Sequence, residues 1–261
     1  MKRLITFGCS FTDYSWPTWS DIIAEDLGCE YENWAMGGGG NQQIARRALY
    51  RMTRGFESTD TVMIQWSSIT REDRWLNNRW LCEGSVALSP TYKDDFLDKY
   101  WSWDNDVINT AQARISTEHL LKPWLKYQMA MTWSDGDLNL LTDNIKLSDY
   151  WRQQMSTVDE LPYEAHPFDN KTHDGHPDPK WWMAWVEEKI YPRMNLTMKP
   201  CTRERVMTLQ TYLENLVAKK CPQQELQHLA TVYANKHEWR LNKVKPGSDT
   251  LTPGLGSNVI C

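Results

Sequence analysis

The sequence lacks the features that mark a membrane protein, a zinc ribbon and a nucleic-acid-binding protein. It has no run of about 18–20 apolar residues, so no membrane-spanning helix is predicted. The 6 cysteines include no Cys-x-x-Cys pair, which argues against a zinc ribbon and gives no disulfide framework. The formal net charge is −5, so the chain as a whole does not attract nucleic acid. We therefore expect no membrane association, no resident metal or cofactor, and no nucleic-acid partner.

The start of the sequence does not predict a secretory leader. Met1 to Arg3 is basic, but the apolar stretch Leu4 to Phe7 is too short for the core of a signal peptide. The stretch ends at a glycine, as a buried parallel strand does. These residues therefore predict a first β-strand and a protein that is made in the cytoplasm.

Phenylalanine is scarce, whereas tryptophan is abundant, with 5 Phe against 15 Trp. Several tryptophans stand among polar residues, as in Trp101-Ser102-Trp103-Asp104. A Trp ring buries a large apolar area and keeps one N–H donor, so it suits both cores and contact surfaces. Two interpretations stay open: Trp replaces Phe and Leu in the core, or it contacts carbohydrate or a protein partner.

The amino-terminal part of the chain alternates strand patterns with helix patterns. Gly28 stops the first helix pattern, and Asp60 precedes the third strand pattern. This alternation predicts a parallel sheet with helices on both faces, a three-layer α/β/α fold, which binds ligands beyond the carboxyl ends of its strands. The predicted elements, in chain order, are Leu4–Phe7, Thr18–Leu27, Tyr31–Ala35, Asn41–Arg54 and Thr61–Trp66.

The whole chain divides into three predicted parts. Residues 1–195 form the α/β domain, with an irregular insertion at about 70–108. Residues 196–242 form a helical hairpin extension, and residues 243–261, rich in Gly, Pro, Ser and Thr, are predicted to be extended or disordered. The later elements are predicted as helices at Asn109–Tyr127, Leu138–Met155 and Lys180–Tyr191, a strand at Gln128–Trp133, a proline-rich loop at Leu161–Pro179, and hairpin helices at Thr202–Lys219 and Gln223–His237.

Two features at the predicted strand ends carry chemistry. Ser10 follows the first strand in the turn Gly8-Cys9-Ser10. There its Oγ can reach the sheet edge, and its N–H can help to stabilise an oxyanion. Four glycines, Gly37 to Gly40, follow the second strand. A turn needs one or two glycines, so this run indicates close approach of the backbone to a ligand.

These segments resemble the sequence blocks of SGNH (GDSL-like) hydrolases, a family of serine esterases. Gly8-Cys9-Ser10 resembles the first block, which holds the nucleophile. The segment Asn33 to Asn41 resembles the second block, an Asn followed by an oxyanion-hole glycine, with Gly38 the best match by spacing and Gly39 the next. His173-Asp174-Gly175-His176-Pro177 resembles the last block, Asp-x-x-His-Pro.

The resemblance covers about residues 1–192, in the order of the family's blocks, and implies a flavodoxin-like parallel sheet with a Ser-His-Asp triad. It implies Ser10 as nucleophile, His176 as general base because Pro177 follows it, and Asp174 as the orienting carboxylate, with His173 as the alternative base. The residues implied for the oxyanion hole are Ser10, Gly38, Gly39 and Ser67, and those expected to contact substrate are Asn41, Trp66, Ser68 and Arg71.

The sequence departs from the family pattern in two places. Gln65-Trp66-Ser67-Ser68 stands where the family has Gly-x-Asn-Asp, so Ser67 takes the place of an oxyanion-hole Asn. A Ser hydroxyl still donates one hydrogen bond from a shorter side chain, whereas loss of one such donor lowers rates by roughly 10²–10³. The spacing from Asp174 to His176 is also one residue shorter than the usual pattern.

The histidine loop has a second interpretation, because six potential metal ligands lie within thirteen residues. No pair has the helical i, i+4 spacing of a zinc protease, and a solvated polar loop is a third interpretation of the same residues. The six residues are His166, Asp169, His173, Asp174, His176 and Asp178.

Two functions follow from the sequence. One is an esterase or deacetylase for a small acyl ester, such as an acetylated glycan. The other is a binding or structural protein that keeps this frame with little or no catalysis, which the missing Asn, the Trp content and the hairpin favour. The segments look most like small bacteriophage-encoded members, which implies the host cytoplasm or a virion, with the hairpin docking a protein partner or a second copy. The basic residues of the hairpin leave nucleic-acid contact as the least favoured role.

Overall fold

The computed structural model describes residues 2–76, 79–86, 92, 94–131, 159–161, 175–239 and 243–244 of the chain. The helix predicted at Leu138–Met155, most of the proline-rich loop and residues 245–261 lie outside the described residues. The elements below are numbered in chain order.

The centre of the molecule is a six-stranded sheet in which every neighbouring pair of strands is parallel. Its order is β7-β6-β3-β1-β2-β8. Without β8, this is the 2-1-3-4-5 order of a doubly wound sheet, once the separate β4–β5 hairpin is set aside. The strands are β1 Arg3–Phe7, β2 Glu30–Asn33, β3 Asp60–Trp66, β6 Leu125–Met131, β7 Asp159–Leu161 and β8 Lys243–Val244.

Side chains alternate along the buried strands, so both faces of the sheet are apolar. Helices cover both of these faces. Leu4 and Met63 point into one core with α1 and α5, whereas Ile5 and Ile64 point into the other with α2 and α4. The structure is therefore α/β with three layers, as the sequence predicts. The helices are α1 Trp19–Leu27, α2 Asn41–Thr53, α3 Asp94–Tyr100, α4 Trp103–Leu121, α5 Pro179–Trp185, α6 Tyr191–Met194, α7 Pro200–Ala218 and α8 Gln223–Lys236, with a π-helical turn at Val186–Ile190.

The boundaries of α1 follow directly from the sequence. The Thr18 N–H donates to Asp21 Oδ2 at 3.0 Å, which satisfies one donor at the helix start. Gly28 ends the helix in the left-handed conformation, with φ of 60°, where a residue without Cβ is not strained. The predicted helix stop at Gly28 is confirmed.

The helical hairpin α7–α8 packs into the main core. Leu209 on α7 and Leu226 on α8 belong to the same buried cluster as Trp19 on α1 and Trp182 on α5. The two helices that the sequence suggests as an extension are thus part of the helical layer on this face. Beyond them, β8 pairs with β2 and extends the sheet by one strand.

Two segments differ from the sequence prediction. The insertion holds a regular antiparallel hairpin, β4 Arg71–Leu76 and β5 Arg79–Ser85, and its many charged residues hide the strand periodicity. The helix expected at Asn109–Tyr127 begins at Trp103 and ends at Leu121, so β6 starts earlier than expected. Pro123 explains this end, because it has no N–H to donate to the carbonyl four residues earlier, although Lys122 keeps helical backbone angles.

Among the helices that the structure describes, none has the length and apolar character needed to cross a membrane.

The first turn of α4 holds a buried carboxylate, Asp106, which is 6% exposed. Burial raises the pKa of Asp106 from 3.8 to about 6, against the hydrogen bond from Trp101 Nε1. A raised folded-state pKa contributes stability below about pH 4, and this contribution is lost as the pH rises through about 6. The ionised carboxylate therefore destabilises the folded protein at neutral pH.

Replacing Asp106 with Asn should raise the free energy of unfolding at pH 7.5 by about 1–3 kcal/mol, because the amide oxygen still accepts from Trp101 without a buried charge. The gain should largely disappear at pH 4. Urea unfolding at the two pH values measures it. Asp104→Asn, in the same turn but exposed, is the matched control. Equal pH dependence in Asp106→Asn and wild type would contradict the prediction.

Candidate active site

Ser10 lies just after the carboxyl end of β1, in a hydrogen-bonded turn. The Cys9 carbonyl accepts hydrogen bonds from the Thr12 N–H at 2.9 Å and the Asp13 N–H at 3.2 Å. These two bonds close the turn that contains Ser10. Ser10 is half-buried at this position.

Buried hydrogen bonds fix the Ser10 turn to the sheet. Thr12 Oγ1 donates to Gln65 Oε1 at 2.5 Å, and Gln65 belongs to the neighbouring strand β3. The Thr12 carbonyl accepts from Asn33 Nδ2 at 2.9 Å and from the hydroxyls of Thr18 and Ser20. Because these groups are all buried, the backbone after Ser10 is held from three directions.

Gly8 makes this arrangement possible. A Cβ at Gly8 would lie 2.1 Å from Thr12 Oγ1, far inside van der Waals contact. Only glycine therefore lets Thr12 approach closely enough to bond Gln65.

His176 lies against the segment that follows Ser10. Its ring stacks on the Tyr14 ring, with centroids 3.9 Å apart and an interplanar angle of 13°, and meets the Phe11 ring edge-on at 4.9 Å. Trp16 Nε1 donates to the Pro177 carbonyl at 2.9 Å. The fold thus packs the His-Pro pair against the segment that follows Ser10. Asp174 and the alternative base His173 lie outside the described residues.

Helix α8 supports the same segment from the other side. Gln227 Nε2 donates to the Tyr14 hydroxyl at 2.7 Å, and Thr231 Oγ1 donates to the Ser15 carbonyl at 3.2 Å. Tyr14 therefore lies between α8 and His176. Sequence reasoning missed this connection, because nothing local to Gln227 or Thr231 indicates a partner more than 200 residues away.

The glycine run supplies one candidate oxyanion donor. The Gly39 N–H donates to the Met36 carbonyl at 3.1 Å, and the Gly40 N–H donates to Asp73 Oδ1 at 2.8 Å. The Gly38 N–H donates to no protein atom in the described part of the chain. Gly38 has φ of 72°, and its carbonyl accepts from the Gly84 N–H at 3.1 Å. Of the two glycines that the resemblance suggests, Gly38 keeps its donor available and Gly39 does not.

Asp73, on β4, occupies the amino-terminal end of α2. Its carboxylate accepts from the N–H groups of Gly40 and Gln43, both at 2.8 Å. These bonds satisfy donors at the helix start, whereas burial raises the pKa of Asp73. The hairpin β4–β5 thus holds the glycine run through Asp73 and through Gly84. Nothing near Gly40 in the sequence indicates this cap, because Asp73 belongs to a different element.

Two residues expected to contact substrate, Asn41 and Trp66, and the oxyanion-hole candidate Ser67 are buried. Trp66 has no exposed surface, and its Nε1 donates to Gln128 Oε1 at 2.8 Å, so it is a core residue. Asn41 is 2% exposed; its Oδ1 accepts from the Ser67 N–H at 2.7 Å and its Nδ2 donates to the Ser67 carbonyl at 3.1 Å. Ser67 has no exposed surface either, so its hydroxyl does not face the cleft. These expectations are corrected for this structure: Asn41 positions Ser67, and both side chains are buried.

Ser68 lies just after β3, and Arg71 begins β4. Both are half-buried. Ser68 Oγ lies 3.0 Å from Thr70 Oγ1, and Arg71 Nη1 donates to the Gly39 carbonyl at 3.4 Å. Arg71 therefore lies beside the glycine run.

The metal-site interpretation has little support in the described residues. Asp178 caps α5: its carboxylate accepts from the Trp181 N–H at 2.7 Å and from Gln210 Nε2 at 2.8 Å. Within the described ranges no group of three or more His, Cys, Asp or Glu is placed to hold a metal ion. The other four candidate ligands, His166, Asp169, His173 and Asp174, lie outside those ranges.

Comparison with models of known protein families gives no match, and comparison with curated protein sequences finds none that is similar.

Proposed function

We propose that this protein is a serine hydrolase of the SGNH type that cleaves a small acyl ester, such as an acetylated glycan. The observation that carries the proposal is the packing of the His176-Pro177 pair on the turn that follows Ser10. A nucleophile, a base and an N–H donor from a second strand end are the parts that acyl transfer needs. The 2-1-3-4-5 strand order also agrees with the SGNH fold as the finer description of this architecture.

In the proposed reaction, Ser10 Oγ attacks the ester carbonyl while His176 accepts the hydroxyl proton. The N–H groups of Ser10 and Gly38 hold the negative charge that develops on the carbonyl oxygen. His176 then gives the proton to the leaving alcohol, and Asp174 keeps the imidazole in the right tautomer. Water, deprotonated by His176, releases the acyl group from Ser10.

Reaction with a fluorophosphonate probe tests this proposal, because such probes bond covalently to activated serines. We expect stoichiometric labelling of wild type at Ser10, and turnover of 4-nitrophenyl acetate. Ser10→Ala should lose both signals and keep the wild-type unfolding temperature. Ser116→Ala, an exposed serine on α4, is the control that should change neither. Unchanged turnover in Ser10→Ala would refute Ser10 as the nucleophile.

The burial of Ser67 favours a second candidate function, a binding or virion protein with a weak or inactive site. In this structure Ser67 offers no exposed oxyanion donor, so two donors remain where the family has three. The apolar faces of α7 and α8 are used in the core, so docking by the hairpin would use its polar outer faces. A folded wild-type protein that neither reacts with the probe nor hydrolyses the ester would support this function.

The proposed compartment is the cytoplasm, that of the host if a bacteriophage encodes the protein, or the virion for the second candidate. Fractionation of producing cells, followed by detection of the chain with an antibody, distinguishes these compartments.

A further inference from the structure

Arg47, on α2, lies at the same edge of the sheet as the Ser10 turn. Its Nη1 is 3.5 Å from Met36 Sδ. The Met36 N–H in turn donates to the Gly8 carbonyl at 3.0 Å. The charge of Asp13, three residues after Ser10, also acts on the Arg47 guanidinium. Arg47 is thus next to the two strand ends that carry the nucleophile and the glycine run.

Arg47 has no anionic partner in the described part of the chain. Its Nε is buried and donates to no acceptor, and no carboxylate oxygen lies within the 4.0 Å of an ion pair. A thioether sulfur is a weak acceptor, so Met36 satisfies the guanidinium poorly. Burial lowers the pKa of Arg47, which shows that the cation is poorly solvated.

Arg51, one turn further along the same helix, is an arginine that the fold pairs with a carboxylate. Arg51 is 4% exposed, and its Nε and Nη2 donate to the two carboxylate oxygens of Glu32 at 2.6 and 3.0 Å. This is the two-pronged pairing that a buried guanidinium prefers. The contrast separates the roles of the two residues, since Arg51 has a carboxylate at hydrogen-bond distance and the described residues give Arg47 none.

Arg47 is half-buried, and a partly buried guanidinium without a hydrogen-bonded anion loses solvation without compensation, so a bound anion would stabilise it. The nearest alternative anion site, the amino-terminal end of α2, is already taken by Asp73. We infer that Arg47 binds a carboxylate or similar anionic group of a ligand that occupies the site. For the hydrolase this assigns an ester substrate with a negative charge close to the scissile bond, a step that rests on the proposed function.

Succinate binding to the Ser10→Ala protein tests the anion site without any turnover. Isothermal titration calorimetry should detect succinate binding at millimolar concentration, and Arg47→Met should weaken it by about tenfold or more. Arg46→Met, the neighbouring exposed arginine, is the matched control and should keep the affinity. Failure of succinate to bind, or equal binding by Arg47→Met, would overturn the inference.

Thermal unfolding separates a ligand-binding role from a packing role. Arg47→Met should unfold at a temperature equal to or above that of wild type, because an unpaired cation is replaced by an apolar side chain of similar length. A structural arginine would give the opposite result, as expected for Arg51→Met. A clear fall in the unfolding temperature of Arg47→Met would overturn the inference.

Kinetics then link the site to the hydrolase. The wild type should favour 4-nitrophenyl hydrogen succinate over 4-nitrophenyl acetate, and Arg47→Met should reduce that ratio of kcat/KM by about tenfold. Turnover of both esters with no preference would refute the anion-site inference but would still support the proposed hydrolase function. Arg47-dependent succinate binding without turnover of either ester would refute the hydrolase and leave the anion site.

Discussion

Replacing His176 with Gln is expected to lower kcat/KM for 4-nitrophenyl acetate by about 10³-fold or more, because a glutamine cannot accept the Ser10 proton. The amide fits the space beside Tyr14, so the unfolding temperature should change little. Turnover and thermal unfolding of the same preparation measure the two effects. His228→Gln, an exposed histidine on α8 next to Gln227, is the control and should retain full activity.

The same assay on His173→Gln settles which histidine is the base. If His176 is the base, His173→Gln should retain most of the activity. Loss of turnover in His173→Gln, together with retention in His176→Gln, would transfer the role to His173. The contact of His176 with Tyr14 and Phe11 supports the first outcome.

Replacing Leu209 with Ala is expected to lower the free energy of unfolding by about 2–5 kcal/mol, the usual range for a fully buried leucine. Leu209 has no exposed surface, and it lies in the cluster shared by α1, α5, α7 and α8. Urea unfolding measures the loss. Met207→Ala, on the same helix but 39% exposed, should change stability by less than about 0.5 kcal/mol. Equal stability of the two variants would show that the hairpin does not contribute to the main core.

Much of the amino-terminal half of the fold follows from local signals. The apolar run before Gly8 gives β1, the pattern ending at Gly28 gives α1, and the run after Asp60 gives β3. Each is a short apolar stretch that ends at a residue with a definite backbone preference, so its type and place are readable. Their alternation also predicts the parallel sheet, since right-handed crossovers allow few other arrangements.

The β4–β5 hairpin could not be predicted in the same way. Its pairing joins residues such as Asp73 and Cys82 across a turn, whereas the local sequence is a mixture of charged and aromatic residues without clear alternation. The hairpin contacts the glycine run, and these contacts exist only in the tertiary structure. A strand held by such contacts carries a weak signal in the sequence.

Some residues of the candidate site have local sequence signals, whereas others depend on tertiary contacts. Ser10, Gly38 and His176 can be proposed from the sequence because strand ends, glycines and a His-Pro pair are local features. Asn41 and Trp66 are expected to contact substrate because they stand near strand ends, but position in the sequence does not show which side of the backbone a side chain takes. Tyr14, Gln227 and Arg47 were missed, because their roles depend on neighbours from distant parts of the chain.

The contacts that surround Ser10 also set the order in which the site can assemble during synthesis. The Ser10 turn is made well before Pro177, Gln227 and Thr231, which bond the segment that follows it. Because earlier segments begin to fold while the rest is still being made, the nascent chain carries this turn without those bonds. A nascent chain stopped before residue 227 would therefore contain Ser10 but lack the hydrogen bond from Gln227 to Tyr14. The surroundings of Ser10 would be complete only after Thr231 has been made.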